Sequence, residues 1–218
     1  MDVRELSETR PEKRRRQNRM GKTPLTPNWE TTLEAAIGQM LTTPGFAAVI
    51  SEDHINETPE RVVNAFKEYF SGVYDDPAAV LKKGFETGAY DEMVFVKNIT
   101  FVSFCAHHLT PIIGKVHFAY LPRIKIVGLS KIPRMIEILA RRPQVQEKLT
   151  REIVDVFNNV VEPSGCGAVV EALHLCMTIR GVKKDQAVTR TTALAGAFKR
   201  NEVKSEFLDG VRGEKGWL

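Results

Sequence analysis

Apolar side chains recur with a helical period in four stretches of the chain. The first spans residues 29 to about 46, where a Pro-Gly pair predicts the end of a helix. In the second, Thr58 and Pro59 are typical of an N-cap and a first helical position, so a helix is predicted to begin there. The segments SKIPRMIEILARR and PQVQEKLTREIVDVFNNVV carry apolar stripes at the same period and predict two consecutive helices.

The other apolar stretches favour strands. MVFVKNITFVSF, GKVHFAYLP, KIVGL, GAVVEALHLCMTIRG and TALAGAF are rich in Val, Ile, Leu, Ala and Phe. Alternation along the fourth places His174, Cys176 and Arg180 on one face, and Val169 and Leu173 on the opposite face, which is predicted to be core. The order of helices, then ββ, αα and ββ, predicts an α+β fold.

The composition is that of an ordinary globular protein. Of 218 residues, 43% are hydrophobic and 27% charged, which is sufficient for a core without disulfides. Three cysteines are an odd, sparse set and favour a metal or catalytic role. No apolar run is long enough to span a membrane, and the N-terminus lacks the apolar segment of a signal peptide. A cytoplasmic location is therefore expected.

The excess of positive charge is confined to the N-terminal tail. The net charge is +4, but residues 1–28 hold eight basic and four acidic side chains, which leaves 23 of each sign elsewhere. This tail has almost no apolar content and is predicted to be disordered. It would attract polyanions, yet no nucleic-acid-binding motif follows, so nucleic acid is not an expected partner. The predicted organisation is a tail over 1–28, a helical region over 29–92 and a core domain over 93–218.

The stretch FCAHHL sets a cysteine beside two histidines. Cys105 and His108 are separated by two residues, a spacing with which one tight loop directs both side chains at one ion. A thiolate and an imidazole are zinc ligands. A third ligand is predicted at Cys176, in the HLC segment after the second long helix. Three protein ligands leave one tetrahedral position open, which is the arrangement of a catalytic zinc site.

His107 and His174 then lie beside the metal without being needed as ligands. Imidazoles exchange protons near neutral pH, so the pattern indicates hydrolysis by zinc-activated water with two histidines as acid and base. The alternative is a loop histidine at position 107 and a small core cysteine at position 176. Two segments that each pair Cys with His favour the metal site.

Two further clusters have both a functional and an ordinary interpretation. Lys131 and Arg134 are i and i+3 neighbours at a helix start that Ser130 is predicted to cap. Such a corner attracts phosphates, but it is also typical of a solvated basic face. Gln146 and Glu147 begin the next helix and could bind the edge of a base. Glu147 could instead simply stabilise the helix dipole.

Several motifs, in the same order, resemble GTP cyclohydrolase I. They are ETPERV, FCAHHLTPIIGK, GLSKIPR, RRPQVQEKLT, HLCMTIRGV, AGAF and EFL, and the resemblance covers roughly residues 29 to 212. It implies a tunnelling fold, with a ββααββ core preceded by helices, and a homodecamer of two stacked pentamers with active sites at subunit boundaries. It also implies that the imidazole ring of GTP is opened at C8, giving formate and 7,8-dihydroneopterin triphosphate, the first step of folate and pterin biosynthesis.

The resemblance further implies a role for each candidate residue. The matched residues include positions that contact the metal, the purine, the ribose and the triphosphate in the family. The matched positions are Cys105, His108 and Cys176 for Zn²⁺; His174 and His107 for proton transfer at the purine and near the ribose; Ser130 for the rearrangement; Gln146 and Glu147 for guanine; and Lys131, Arg134, Arg180 and Arg61, the last from a neighbouring subunit, for the triphosphate.

One position departs from the pattern of the family. The family usually has Glu between the cysteine and the two histidines, whereas this chain has Ala106. A carboxylate beside a metal ligand orients that ligand, and loss of such a partner typically costs about 10- to 100-fold in metal affinity or activity. The substitution predicts a perturbed enzyme or one with a compensating acid from elsewhere.

Two other functions are compatible with these motifs. One is a related tunnelling-fold enzyme that feeds 7-deazapurine synthesis, against which the intact Gln146–Glu147 pair and the three metal ligands argue. The other is a non-catalytic assembly or binding protein that kept the fold and added the basic tail.

Overall fold

The computed structural model describes residues 29–86 and 90–212. The predicted disorder of the tail over 1–28 lies outside the described residues. The helices are α1 (Trp29–Leu41), α2 (Pro44–Ala47), α3 (Glu52–Tyr69), α4 (Lys131–Ala140), α5 (Gln146–Val161), α6 (Leu175–Thr178) and α7 (Asn201–Arg212), and the strands are β1 (Gly84–Glu86), β2 (Val94–Cys105), β3 (Pro111–Leu121), β4 (Lys125–Val127), β5 (Pro143–Gln144), β6 (Gly165–His174) and β7 (Val188–Gly196).

Five strands form the main sheet, in the order β5-β2-β3-β6-β7. Neighbouring strands are antiparallel except for the short β5, which runs parallel to the end of β2. Strands β1 and β4 form a separate two-stranded sheet. The pairs β2–β3 and β6–β7 flank α4 and α5 along the chain. The predicted α+β class and the ββααββ order are therefore confirmed.

The main core lies between one face of the sheet and the helices α4 and α5. The helical period that predicted both helices brings Ile132 of α4, and Ile153 and Phe157 of α5, to positions with no exposed surface. The ring of Phe157 has its centroid 4.7 Å from that of Phe118 and 4.9 Å from that of Tyr120, both on β3. This aromatic group holds α5 against the middle of the sheet.

A smaller core lies on the opposite face of the sheet, beneath α7. Phe207 of this helix packs with Phe198, Ala119 and Val169, all fully buried. Helix α7 has no counterpart among the predicted helices. Its apolar residues do follow a helical spacing, but Gly210 within it weakens the pattern, since glycine has a low helix propensity.

The start of α3 differs from the prediction. Thr58 and Pro59 do not begin a helix, because α3 begins at Glu52 and contains Pro59 as a buried interior residue. A proline inside a helix removes one backbone hydrogen bond. Here the acidic side chains of Glu52 and Asp53 stabilise the earlier start through the helix dipole, and burial of the proline ring offsets part of the lost hydrogen bond.

The described chain divides into two compact units between Ala65 and Phe66, within α3. The main sheet, both helices that cover it and α7 belong to the second unit. The boundary predicted after residue 92 stays a prediction. In residues 29–86 and 90–212, no helix combines the length and the apolar character that a membrane span requires.

Phe157→Ala is expected to lower the free energy of unfolding by about 3–5 kcal/mol, because it leaves a cavity between α5 and the sheet. Phe157→Leu is the matched control and should cost clearly less, since it keeps most of the buried volume. The measurement is the urea midpoint of unfolding of both variants and the parent chain. Equal midpoints for Phe157→Ala and the parent would contradict the central position of this ring.

Candidate active site

The loop between β2 and β3 positions the first two candidate metal ligands. Cys105 ends β2 and is buried, and its backbone N–H donates to the carbonyl of Thr110 at 2.9 Å. The N–H of Leu109 donates back to the carbonyl of Cys105 at 2.8 Å, and Leu109 has a φ of 51°. This tight turn leaves the side chains of His107 and His108 on the surface, next to the buried thiol.

The third candidate ligand lies on a helical turn, so its predicted place on a strand is wrong. Strand β6 ends at His174, and Cys176 belongs to α6. The hydroxyl of Thr178 donates to the carbonyl of His174 at 3.1 Å, which closes this turn. Cys176 and Arg180 therefore do not share a strand face with His174, although the turn still brings Cys176 to the metal loop.

The assignment of the two faces of β6 also needs correction. Val169 is buried, as predicted, but so are Ala168, Val170 and Ala172 on the face that was expected to lead to the site. These three belong to the main core beneath α5. The reason is that β6 is an inner strand of the sheet with core on both faces over its first half, where Gly167 and Val169 lie next to Phe207 of α7, so buried and exposed residues do not alternate there.

Cys105, His108 and Cys176 form a compact set of metal donors. Their ligand atoms lie within 4.8 Å of one another, and Sγ of Cys105 is 3.6 Å from Nδ1 of His108. Tetrahedral ligands at about 2.0–2.3 Å from zinc stand roughly 3.3–3.8 Å apart. Small side-chain rotations therefore suffice to close the three donors on one ion.

Two thiolates side by side repel each other unless a cation lies between them. Burial and the neighbouring Cys105 raise the pKa of Cys176 above its ordinary value, while the hydroxyl of Thr110 lowers it. A bound divalent cation reverses this balance, because it stabilises both thiolates. The donor set thus fits a metal ion.

His107 lies beside this set but is not part of it. Its Nδ1 is 3.8 Å from Sγ of Cys105, and its ring centroid is 6.1 Å from that of His108, in an edge-on arrangement. The ring is exposed. An imidazole at this position can exchange protons with a molecule bound at the metal.

His174 is held from behind by the first residue of α5. Its Nε2 is 2.7 Å from Oε1 of Gln146. Burial lowers the pKa of His174, and the nearby carboxylate of Glu147 opposes that effect. The N-terminus of α5 and the end of β6 therefore meet at the same edge of the sheet as the metal loop.

The side chain of Gln146 is buried and makes its hydrogen bonds within the protein. Only 2% of the residue is exposed. Its amide contacts β6 and β7 as well as His174. This is a different use of the side chain from the guanine recognition that the resemblance implies. Glu147, next to it, is exposed and can reach a ligand.

The predicted phosphate corner, residues 130–134, lies at the other end of α4 from the metal loop. The carbonyl of Leu139 accepts a hydrogen bond from the side chain of Gln144 at 2.8 Å, and the carbonyl of Gln144 accepts one from the N–H of Ala106 at 2.9 Å. The last turn of α4 is therefore the part near the loop. With a rise of about 1.5 Å per residue, Lys131 lies roughly 12 Å from Leu139 along the axis.

Side chains at this corner are available for an anion. Ser130 occupies the N-cap position, as predicted, but its side chain makes no capping hydrogen bond. Its backbone already has a helical conformation, with φ of −65° and ψ of −15°, which differs from the extended backbone that side-chain capping requires. Lys131 is half-buried and Arg134 is exposed.

Arg180 follows the turn that carries Cys176 and is exposed. The N–H of Lys184 donates to the carbonyl of Met177 at 2.9 Å, which folds the next residues back onto this turn. Arg180 thus belongs to the metal end of the sheet. Arg61 lies in the first compact unit, where it forms an ion pair with Glu57.

Sequence reasoning missed three threonines at the site. The hydroxyls of Thr150 and Thr191 lie 2.6 Å apart next to Gln146, and Thr110 is close enough to Cys176 to lower the pKa of its thiol. Their positions depend on pairing between distant segments, and nothing in the local sequence marks them. The remaining cysteine, Cys166, is not part of the donor set: it is fully buried, and burial raises the pKa of its thiol to about 12.

Comparison with known proteins identifies the family. The family model for GTP cyclohydrolase I matches residues 33–212. The "GTP cyclohydrolase 1" of Chlorobaculum tepidum is 51% identical over 69% of this chain and 68% of its own length. The "GTP cyclohydrolase 1" of Campylobacter curvus is 49% identical over 73% of this chain and 86% of its own length. That of Campylobacter concisus is 46% identical over 82% of this chain and 93% of its own length.

The chain belongs to the GTP cyclohydrolase I family. It is therefore a member of an enzyme family, and neither alternative function is favoured. Among solved structures, apo archaeosine synthase QueF-Like matches 48% of this chain and 94% of its own, with a TM-score of 0.40 and 17% identity. That likeness is too distant to inform on function. Within the GTP cyclohydrolase I family, a metal site at the Cys-His-Cys set is expected.

The metal site predicts different behaviour for two cysteines of the same chain. After loading with zinc, Cys176→Ser should lose most of the ion, because it replaces one of the three candidate protein ligands with a poor one. Cys166→Ser is the matched control and should retain about one zinc ion per chain, since this thiol lies in the core beneath α5. Zinc per chain is measured by mass spectrometry after dialysis. Equal zinc in the two variants would contradict the assigned ligands.

Proposed function

We propose that this protein hydrolyses GTP to formate and 7,8-dihydroneopterin triphosphate. The observation that carries the proposal is the Cys105–His108–Cys176 donor set, with His107 and His174 beside the same edge of the sheet, in a member of the GTP cyclohydrolase I family. A reaction that opens one ring, rearranges a sugar and closes another needs several proton transfers. A site with two histidines next to a metal supplies the groups for them.

Zinc is the metal that the donor set fits best. Two thiolates and one imidazole are soft and borderline ligands, which favour zinc over magnesium or calcium. Three protein ligands leave a position for water or substrate. When bound, the ion acts as a Lewis acid that makes water nucleophilic near neutral pH.

The two histidines serve different parts of the substrate. His174 handles protons at the nitrogen atoms of the purine, because it is half-buried and held in one orientation by Gln146. His107, exposed on the loop, acts near the ribose. Ser130 takes part in the rearrangement, and its hydroxyl is not used in capping α4.

Glu147 recognises the guanine base. Its carboxylate is exposed near His174, and a carboxylate accepts hydrogen bonds from the N1–H and 2-amino groups of guanine. The side-chain amide of Gln146 already makes hydrogen bonds to other residues of the protein. Base recognition by side chains at this pair of positions therefore falls to Glu147.

The triphosphate is bound by cations from more than one subunit. Lys131, Arg134 and Arg180 have no ion-pair partner among residues 29–86 and 90–212, so their charges are available to an anion. The corner at residues 130–134 lies at the far end of α4 from the metal loop of the same chain. A homo-oligomer, with the decamer of the family as the expected form, would bring this corner and Arg61 of a neighbouring subunit to each metal loop.

The proposal is tested with a formate assay on zinc-analysed protein and GTP. Formate and a fluorescent pterin should appear together, disappear on chelation and return with added zinc. A protein with about one zinc ion per chain that releases no formate would contradict the proposed reaction while leaving the metal site intact.

Ala106→Glu should raise zinc affinity or kcat/KM by about 10- to 100-fold, because it restores the carboxylate that orients neighbouring ligands. Position 106 is exposed, and its backbone hydrogen bond to Gln144 does not involve the side chain. Ala106→Gln has the same size without the charge and is the matched control. Competition with a zinc-binding dye and turnover of GTP are the measurements. No change in either quantity would count against a deficit at this position.

A further inference from the structure

Gln146 is a polar side chain with little access to a ligand. It is 2% exposed, at the first position of α5, and its amide contacts two strands, β6 and β7. Nε2 lies 3.1 Å from the carbonyl of Val170 on β6, and 3.0 Å and 3.1 Å from the Thr189 carbonyl and Thr191 Oγ1 on β7. Oε1 lies 2.7 Å from Nε2 of His174. The side chain thus connects the sheet to the histidine.

These partners fix which way the amide points. The carbonyls of Val170 and Thr189 can only accept hydrogen bonds, so the atom that faces them must be the amide nitrogen. The reverse orientation would place an oxygen against two carbonyl oxygens inside the protein. The oxygen of Gln146 therefore faces His174.

The position of the amide oxygen in turn determines the tautomer and the orientation of the His174 ring. An amide oxygen has no proton to give, so Nε2 of His174 must be the donor in the 2.7 Å contact. In the neutral ring, the lone pair is then on Nδ1. We propose that Gln146 is a positioning residue, which holds His174 as the Nε2–H tautomer in one orientation and presents Nδ1 to the substrate.

A second layer of hydrogen bonds holds Gln146 itself. The hydroxyl of Thr150 donates to the backbone carbonyl of Gln146 at 2.8 Å and lies 2.6 Å from the hydroxyl of Thr191. Thr191 in turn contacts the amide nitrogen. Thr150 is buried, so the network has little access to water. Rearranging the amide would leave buried polar groups without partners, which is costly.

The inference rests on the proposed function, since it assigns Gln146 to catalysis through His174 instead of to guanine recognition. The two roles predict different kinetics. A residue that binds the base changes KM and the preference for GTP over inosine triphosphate, which lacks the 2-amino group. A residue that positions His174 changes kcat.

The first test compares Gln146→Met with Glu147→Gln. Gln146→Met keeps the length of the side chain but cannot accept a hydrogen bond from His174. It should lower kcat at least about tenfold, and by no more than the roughly 10²- to 10⁴-fold that acid–base catalysis contributes. KM for GTP and the GTP-to-inosine-triphosphate ratio should stay within about twofold of the parent values. Glu147→Gln should instead raise KM and reduce that ratio. A raised KM and a lost preference in Gln146→Met would overturn the proposal.

The second test measures which ring nitrogen of His174 carries the proton. It needs neither turnover nor a variant of Gln146. Zinc-loaded parent protein labelled with [¹³C,¹⁵N]histidine is studied by solid-state NMR at pH 8, with the His174 signals identified by their loss in His174→Asn. The ¹⁵N shifts distinguish a protonated from an unprotonated ring nitrogen. A proton on Nε2 of His174 is expected, and a proton on Nδ1 alone would overturn the proposal. If the parent released no formate, the proposed function would fail while this measurement still tested the tautomer.

Discussion

The pairing of β3 with β6 is the interaction on which the candidate site depends. The ladder runs from Leu121 opposite Gly165 to Ile112 opposite His174. The start of β3 follows the FCAHHL loop directly, so this register places the end of β6 beside that loop. Most of both strands is buried, and a slip by one residue would turn their core side chains to the opposite face. The core therefore fixes the distance between two ligand segments that are far apart in the chain.

The N-terminus of α5 lies at the same end of the sheet as the FCAHHL loop and the end of β6. It supplies the residues that hold His174 in place. Packing of Phe157 against β3 holds the helix in place. Its first residue, Gln146, then reaches β6, β7 and His174 with a buried amide. A buried polar network of this kind has a single favourable arrangement, because each member satisfies the others. The hydrophobic core thus determines the orientation of His174 through the position of Gln146.

One chain does not bring all the predicted binding groups together. The metal donors, His174, Glu147 and Arg180 belong to one end of the sheet, whereas residues 130–134 begin α4 at the opposite end. A helix is rigid along its axis, so this separation is not removed by side-chain movement. It gives a physical reason for an active site shared between subunits, as proposed above.

The sequence by itself determined the class of fold and most of its elements, and it singled out the three candidate metal donors. Periodicity sufficed for α4 and α5 because each buries one continuous stripe, and Cys105 and His108 were evident because a single loop holds both. Only the tertiary structure showed the features that depend on contacts between distant segments. Alternation failed at Cys176, where β6 gives way to a helical turn, and along β6, which has core on both faces. The role of Gln146 depends on carbonyl groups of two strands that only folding brings to it.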